Sequence, residues 1–328
     1  VQEVIDEELR RLNYKGNTIA VKHASETVQM GEPAATAIRK KKDSSIRVAM
    51  DMVKSDEAQG VVTAGDTAGA LAASMVVLKT LKGIDRPAIA ALIPTYTGFS
   101  ILLDVGANVD CKATQLLQFG VMGYVYAKYV LKKPNPTVGL LSIGAEETKG
   151  NEATKEAYHL LKNSSINFMG NVEAREVYQG HADVIVSDGF SGNVAIKISE
   201  SAAEFLEHCL RKYFHSTWRC KLGILLMMPE IKALKRSMDY SEYGGAPFLG
   251  VNGACIIAHG SSGPKAIKNA IFLAERFVLS NVNRHIQDDL AFNREIQITP
   301  KEKKGRFWKN IKDTISFTSE KDEDGSVT

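Results

Sequence analysis

Cysteine is scarce: the 328 residues hold four, Cys111, Cys209, Cys220 and Cys255, and no two form a CxxC pair. That fits neither a zinc module nor a disulfide scaffold, and it points to a reducing cytoplasm. Long apolar runs are missing too. No stretch approaches the roughly 18 residues of a membrane span, and the acidic, amphipathic opening from Val1 to Arg11 lacks a signal-peptide pattern. A large excess of one charge is also absent: 41 Lys and Arg stand against 38 Asp and Glu. The net +3 argues against a chain that binds nucleic acid as a whole and confines charge recognition to local patches. Finally, there is no GxGxxG, Walker A, GxSxG or HExxH. This weakens in turn a nicotinamide dehydrogenase, a P-loop NTPase and a serine hydrolase.

What the chain does carry is an alternation of short apolar runs with longer stretches of helical period, the pattern of βα units and an α/β fold with a mostly parallel sheet. Strands are expected at Thr18–Lys22, Gly60–Thr63, Ser100–Leu103, Val138–Ile143, Ile166–Met169, Val184–Ser187 and Cys255–Ala258. Helices are expected at Pro33–Lys54, Thr67–Leu81, Ala113–Leu131, Glu152–Lys162, Asn193–Phe214 and Pro264–Asp288. Tyr213–Met238 interrupts the rhythm and reads as a protruding helical hairpin bent at Pro229. It sets Arg219, Lys221, Lys232, Lys235 and Arg236 against Glu230 alone. Basic residues beside Leu222, Leu225, Leu226, Ile231 and Leu234 suit a helix lying in an anionic membrane surface, with a core or dimer-interface hairpin as the rival reading. The division expected is one α/β domain over 1–295, with the hairpin at 213–238 inserted, and a charged flexible tail over 296–328.

Small polar clusters follow the strands: Thr63–Thr67, Asp104–Asp110, Gly144–Asn151, Ser187–Asn193 and His259–Ser262. In an open parallel sheet, ligands bind outside the carboxyl ends of the strands, where glycine lets backbone N–H groups approach an anion. Five such clusters suggest one shared site, although Gly, Asn, Asp and Ser also serve plain turns. A reaction whose nucleophile is already anionic needs only a cradle for the anion and donors for a developing oxyanion. Phosphate fits that description.

The ordered set LKGIDRPA (Leu81–Ala88), LLDVGANVD (Leu102–Asp110), KGNEATK (Lys149–Lys155), NFMGNVEAR (Asn167–Arg175), DGFSGNV (Asp188–Val194), YGGA (Tyr243–Ala246) and HGSS (His259–Ser262) resembles the bacterial phosphate acyltransferases, from about Gly16 to Asp288. The resemblance implies a three-layer α/β/α fold of the isocitrate dehydrogenase and phosphotransacetylase type and a cytoplasmic homodimer peripherally associated with the membrane. It further implies transfer of a fatty acyl group from acyl carrier protein to inorganic phosphate for phospholipid synthesis. No metal and no organic cofactor are implied. The acyl phosphate would pass to a downstream glycerol-3-phosphate acyltransferase.

Within that resemblance, Lys149, Asp188, Asn193 and His259 are the candidate catalytic residues. Lys149 would hold phosphate or the oxyanion, Asp188 would orient Lys149 or simply cap a helix, and His259 would donate to phosphate or to the leaving sulfur. Gly65, Asp66, Thr67, Asp104, Asn108, Gly150, Asn151, Gly189, Gly192 and Ser261 are the candidate phosphate and substrate contacts. The run Arg39–Lys42 is either a face for acidic carrier protein or a solvated surface. Two departures stand out. The family's opening strand and Asp-Ala-Met-Gly-Gly-Asp motif do not precede Val1, so a truncated chain is expected. Asp66 stands where the family has Asn, and an unpaired carboxylate there would repel phosphate. The rival readings are an oxidoreductase of the isocitrate dehydrogenase-like superfamily, with Asp104, Asp110 and Asp188 as metal ligands, and a membrane-recruited scaffold that has lost catalysis.

Overall fold

The computed structural model describes residues 2–29, 31–214, 217–238 and 244–297. Eight strands form one sheet in the order β1-β8-β7-β2-β3-β6-β4-β5. They are β1 (Gly60–Thr63), β2 (Ala88–Thr95), β3 (Gly98–Leu103), β4 (Val138–Ser142), β5 (Phe168–Glu173), β6 (Val184–Val186), β7 (Ala246–Leu249) and β8 (Ala254–Ile257). Alternate strand residues enter opposite cores, because successive side chains leave a strand on opposite faces. Leu103, Leu140, Val186 and Ile256 join the core under α5 (Ala113–Tyr129), α6 (Glu152–Lys162), α9 (Pro264–Leu279) and α10 (Val282–Gln297). On the other face, Val61, Ile89, Phe248 and Cys255 pack with residues of α2 (Ala34–Lys40), α3 (Ser45–Lys54) and α4 (Thr67–Ala73). Leu102, Val172 and Ile185 meet Ala195 and Ile196 of α7 (Gly189–Phe214) on that same face. The result is the expected three-layer α/β/α arrangement with a mixed, mostly parallel sheet.

The direction of the strands matters for function. β1 runs parallel to β8, and β3, β6, β4 and β5 run parallel to one another. Between these groups the β8–β7, β7–β2 and β2–β3 pairs are all antiparallel. The chain therefore reverses three times across the middle of the sheet, and β1 and β8 point against β3, β6 and β4.

Several expected elements are corrected. Thr18–Lys22 forms no strand: it is mostly exposed and has no strand beside it among the described residues. The helix expected over Pro33–Lys54 is two, α2 and α3, parted where Ser44 bridges to Glu26. Thr67–Leu81 continues from α4 only as a π-turn to Leu78. Pro264–Asp288 breaks into α9 and α10 at Asn281, whose φ of 48° lies in the left-handed region. The hairpin is formed by α7 and α8 (Trp218–Met238), with Pro229 inside α8 rather than at the bend. Strands β2 and β7 went unread, since each carries a proline, Pro94 and Pro247, that argues against a central strand. The expected tail lies outside the described residues apart from its first two positions, which end α10.

Helix α5 is buried nearly all round, as expected of a helix apolar on every side. Its Tyr126 hydroxyl is buried and makes no hydrogen bond among the described residues. An unpaired buried hydroxyl costs about 1–3 kcal/mol. We expect Tyr126→Phe to raise the denaturant midpoint at unchanged m-value, by roughly 1 kcal/mol in stability. A lowered midpoint would mean that the hydroxyl has a partner.

Candidate active site

The loop after β3 is organised by one carboxylate. Asp104 is fully buried and accepts from the backbone N–H groups of Ile89 (3.0 Å), Gly106 (3.3 Å), Ala107 (3.1 Å) and Asn108 (2.7 Å) and from Asn108 Nδ2 (2.9 Å). Burial pushes its carboxyl above the ordinary carboxylate range, and these donors pull against that rise. Asn108 Nδ2 also donates to Pro87 O (2.7 Å), and Asn193 Nδ2 donates to Val105 O (3.1 Å). Both carboxylate oxygens of Asp104 are thus taken up by its own loop and by β2, as a brace.

Helix α7 begins against this loop. Asp188 caps it, accepting from Ser191 N (2.7 Å) and Ser191 Oγ (2.9 Å). Gly189 N donates to Asn108 O (2.7 Å). A Cβ at Gly189 would lie 2.5 Å from Asn108 O, and one at Gly192 would lie 1.9 Å from Asp104 O. These two glycines are required by the close approach of helix and loop. Helix α6 begins similarly: Gly150 has φ 105°, Asn151 Oδ1 accepts from Thr154 N (2.9 Å), and the Glu152 and Ala153 N–H groups remain without intrahelical partners.

Between the two helix starts lies a cleft of about 510 Å³, lined by Val109, Asp110, Cys111, Leu116, Asn151, Ala153, Thr154, Asp188, Phe190 and Ser191. Lys149 is exposed in the loop two residues before Asn151 and is not among the lining residues. Among the described residues no ion pair joins it to Asp188, whose oxygens are both engaged by Ser191.

The remaining candidates belong to a second group. Ala258 N donates to Thr63 O (2.7 Å), which sets the loop after β8 beside the loop after β1. Asp66 caps α4 by accepting from Gly69 N (2.7 Å), with Gly65 before it and Thr67 as the first helical residue. Asp and Asn cap equally well, which accounts locally for Asp at this position. His259 Nδ1 lies 2.7 Å from Ser261 Oγ and accepts from Ser261 N (3.2 Å). Because β1 and β8 run against β3, β6 and β4, and because four to six strand spacings of roughly 4.8 Å separate them from β6 and β4, these residues do not open into the same crevice as Asp188 and Asn151. The expectation of one site shared by five clusters gives way to two groups.

Cys111, Thr154 and Phe190 line the cleft without having been candidates. Their signals were faint: Cys111 follows LLDVGANVD by one residue, and Phe190 sits inside DGFSGNV. The Cys111 thiol donates to Asn108 O (3.6 Å), and burial, with Asp104, Asp188 and Asp110 nearby, pushes it up to about 11. It stays protonated at neutral pH and is no nucleophile.

Among the described residues no group of His, Cys, Asp or Glu is placed to hold a metal ion, and no helix is long and apolar enough to cross a membrane.

The fold is similar to that of EutD phosphotransacetylase from Staphylococcus aureus, with a TM-score of 0.56 and 15% identity over 85% of this chain and 84% of that one. It is equally similar to a phosphotransacetylase from Streptococcus pyogenes, at TM-score 0.55 and 17% identity over the same shares. In sequence, the fatty acid synthesis protein family matches residues 2–285. Proteins called phosphate acyltransferase are 50% identical in Geotalea uraniireducens, over 88% of this chain and 84% of that protein, and 50% identical in Geobacter sulfurreducens, over 86% and 82%. The chain belongs to this family, the bacterial phosphate acyltransferases, and is an acyltransferase.

The protonated state of Cys111 is open to a direct check. Iodoacetamide labelling of its peptide, followed by mass spectrometry, should keep rising toward pH 11, whereas an ordinary thiol levels off soon after its pKa of about 8.5. The raised value also means that its contribution to stability is complete below about pH 9 and is lost as pH climbs toward 11. Cys111→Ser should retain turnover. Loss of turnover, or labelling that levels off early, would make the thiol a participant.

Proposed function

We propose that this chain transfers a fatty acyl group from an acyl carrier protein thioester to inorganic phosphate, yielding an acyl phosphate for phosphatidic acid synthesis. The observation that carries the reading is the meeting of the α6 and α7 N-termini at one cleft. Both helix starts add partial positive charge, and the α6 start adds backbone donors at Glu152 and Ala153, which favours a bound anion. Family membership supports phosphate as that anion and an acyl thioester as its partner.

In the reaction, a phosphate oxygen attacks the thioester carbonyl carbon. A tetrahedral oxyanion forms, the carbon–sulfur bond breaks, and the electron pair leaves with the thiolate. Phosphate is already anionic and a thiol has a pKa of about 8.5, so little proton transfer is required. Orientation of the bound reactants can supply on the order of 7–11 kcal/mol. The α6 N–H groups at Glu152 and Ala153 would hold phosphate, and Lys149 would add its charge to phosphate or to the oxyanion. Asp188 and Asn193 act from behind, as cap and tether of α7. Gly65, Asp66, Thr67, His259 and Ser261 would serve a separate part of the donor.

The acidic carrier protein, a homodimeric state, a downstream glycerol-3-phosphate acyltransferase and peripheral attachment to an anionic membrane complete the proposal. For attachment, Leu222, Leu225 and Leu226 of α8 are exposed and Ile231 is half-buried, while the Leu234 side chain lies outside the described residues. Arg219 and Lys232, also exposed, supply charge for lipid headgroups.

Two measurements test this. Lys149→Ala should cut phosphate-dependent release of carrier thiol by roughly 10²–10³-fold with an unchanged circular dichroism spectrum, the scale for losing one oxyanion donor. Near-normal turnover would return Lys149 to an ordinary loop lysine. Leu225→Glu combined with Leu226→Glu should leave a folded enzyme that no longer sediments with anionic vesicles. Unfolding or dissociation of that variant would make α8 a structural element instead.

A further inference from the structure

Asn171, in the NFMGNVEAR motif, is a buried polar residue on the strand that ends the sheet. Val172 enters the core on the α7 side, so Asn171, its neighbour in β5, turns to the opposite face, toward α6. There Asn171 Nδ2 donates to Glu146 O (2.9 Å). The same Glu146 O accepts from Lys149 N (3.0 Å). One carbonyl oxygen thus joins the last strand to the backbone of the lysine that precedes α6.

The stem of Lys149 is steadied as well. A Cβ at the buried Gly144 would lie 2.8 Å from Lys149 Cγ and 3.4 Å from Lys149 Cβ, with Glu146 Oε2 3.0 Å from the same point. The stem therefore lies where a side chain at residue 144 would be. Gly150, with φ 105°, then turns the chain through Asn151 into α6, which starts at Glu152. A lysine carries about 2 kcal/mol of rotamer entropy, and a stem already fixed at its base has less of it to lose when the ammonium engages an anion.

We propose that Asn171 and Gly144 are positioning residues for Lys149: the Asn171 amide holds its backbone through Glu146 O, and Gly144 makes room for its stem, so that the ammonium is presented at the α6 N-terminus. This rests on the acyl-transfer reading above and on the role given there to Lys149, and it adds what holds that charge in place. Both residues act through Lys149 alone. A misplacement of about 1 Å, even from a change remote from the chemistry, can cost on the order of 10²-fold in rate.

The experiment is a double-mutant cycle on phosphate-dependent release of carrier thiol by the full chain. Asn171→Leu keeps a branched side chain in the buried position and removes the donor, while Glu146 O retains Lys149 N. It should lower kcat/KM about tenfold in the otherwise wild-type chain, and less than about twofold where Lys149→Ala is already present. A merely structural contact costs the same factor in both backgrounds, and that result overturns the proposal. So does Asn171→Leu with wild-type turnover, or Lys149→Ala with no loss of turnover. Should Asn171→Leu fail to fold, Gly144→Ala runs the same cycle with the same expected factors, since its methyl group displaces the Lys149 stem. Loss of the fold in both variants makes the two residues structural and overturns the proposal as well. A wild-type chain that releases no thiol overturns the acyl-transfer reading itself, and the proposal falls with it. An active wild type with equal losses in both backgrounds overturns only the positioning role.

Discussion

A carboxylate with no exposure must be surrounded by donors, and Asp104 gathers them from two separate stretches of chain. Ile89 belongs to β2, while Gly106, Ala107 and Asn108 belong to the loop after β3. The same group therefore fixes the entry to one strand and the exit from its neighbour. Asn108 then receives Gly189, and Val105 receives Asn193, so the start of α7 is built on a loop already held in place. Remove the carboxylate, and several backbone donors lose their acceptor at once in a site with little access to water. The positions of Asp188 and Phe190, and with them one wall of the cleft, follow from this arrangement.

The central antiparallel strands have a comparable influence at larger scale. Four parallel strands on one side and the β1–β8 pair on the other each follow the rule that ligands sit beyond carboxyl ends. Since the two sets face opposite ways, their carboxyl ends lie at two different edges of the sheet. The glycine-rich loops at Gly65 and His259 are as well formed as those at Gly150 and Gly189, yet they answer to a different edge of the sheet.

What was legible in the sequence reflects where local chemistry decides the outcome. Strands β1, β4 and β6, helices α5 and α6, and the caps Asp188 and Asn151 sit where apolar period and turn residues agree with the fold. β2 and β7 were hidden because Pro94 and Pro247 contradict local strand propensity, and the partners that override it are distant in sequence. Missing those two strands concealed the reversal of direction, and so a single crevice seemed natural. Within the cleft, Asn151 and Asp188 were readable from their motifs. Cys111 and Phe190 were not, since nothing in a sequence says which side of a turn faces a cavity.

Helix α7 runs unbroken for 26 residues, roughly 39 Å, from the cleft to Phe214. An element of that length, gripped by the loop at one end and projecting at the other, behaves as a lever. A tilt of about 5° at its rooted end swings the tip by about 3 Å over that span. The converse also holds: anything that held the tip still would damp the angular play of Phe190 at the root, about seven turns away along the helix.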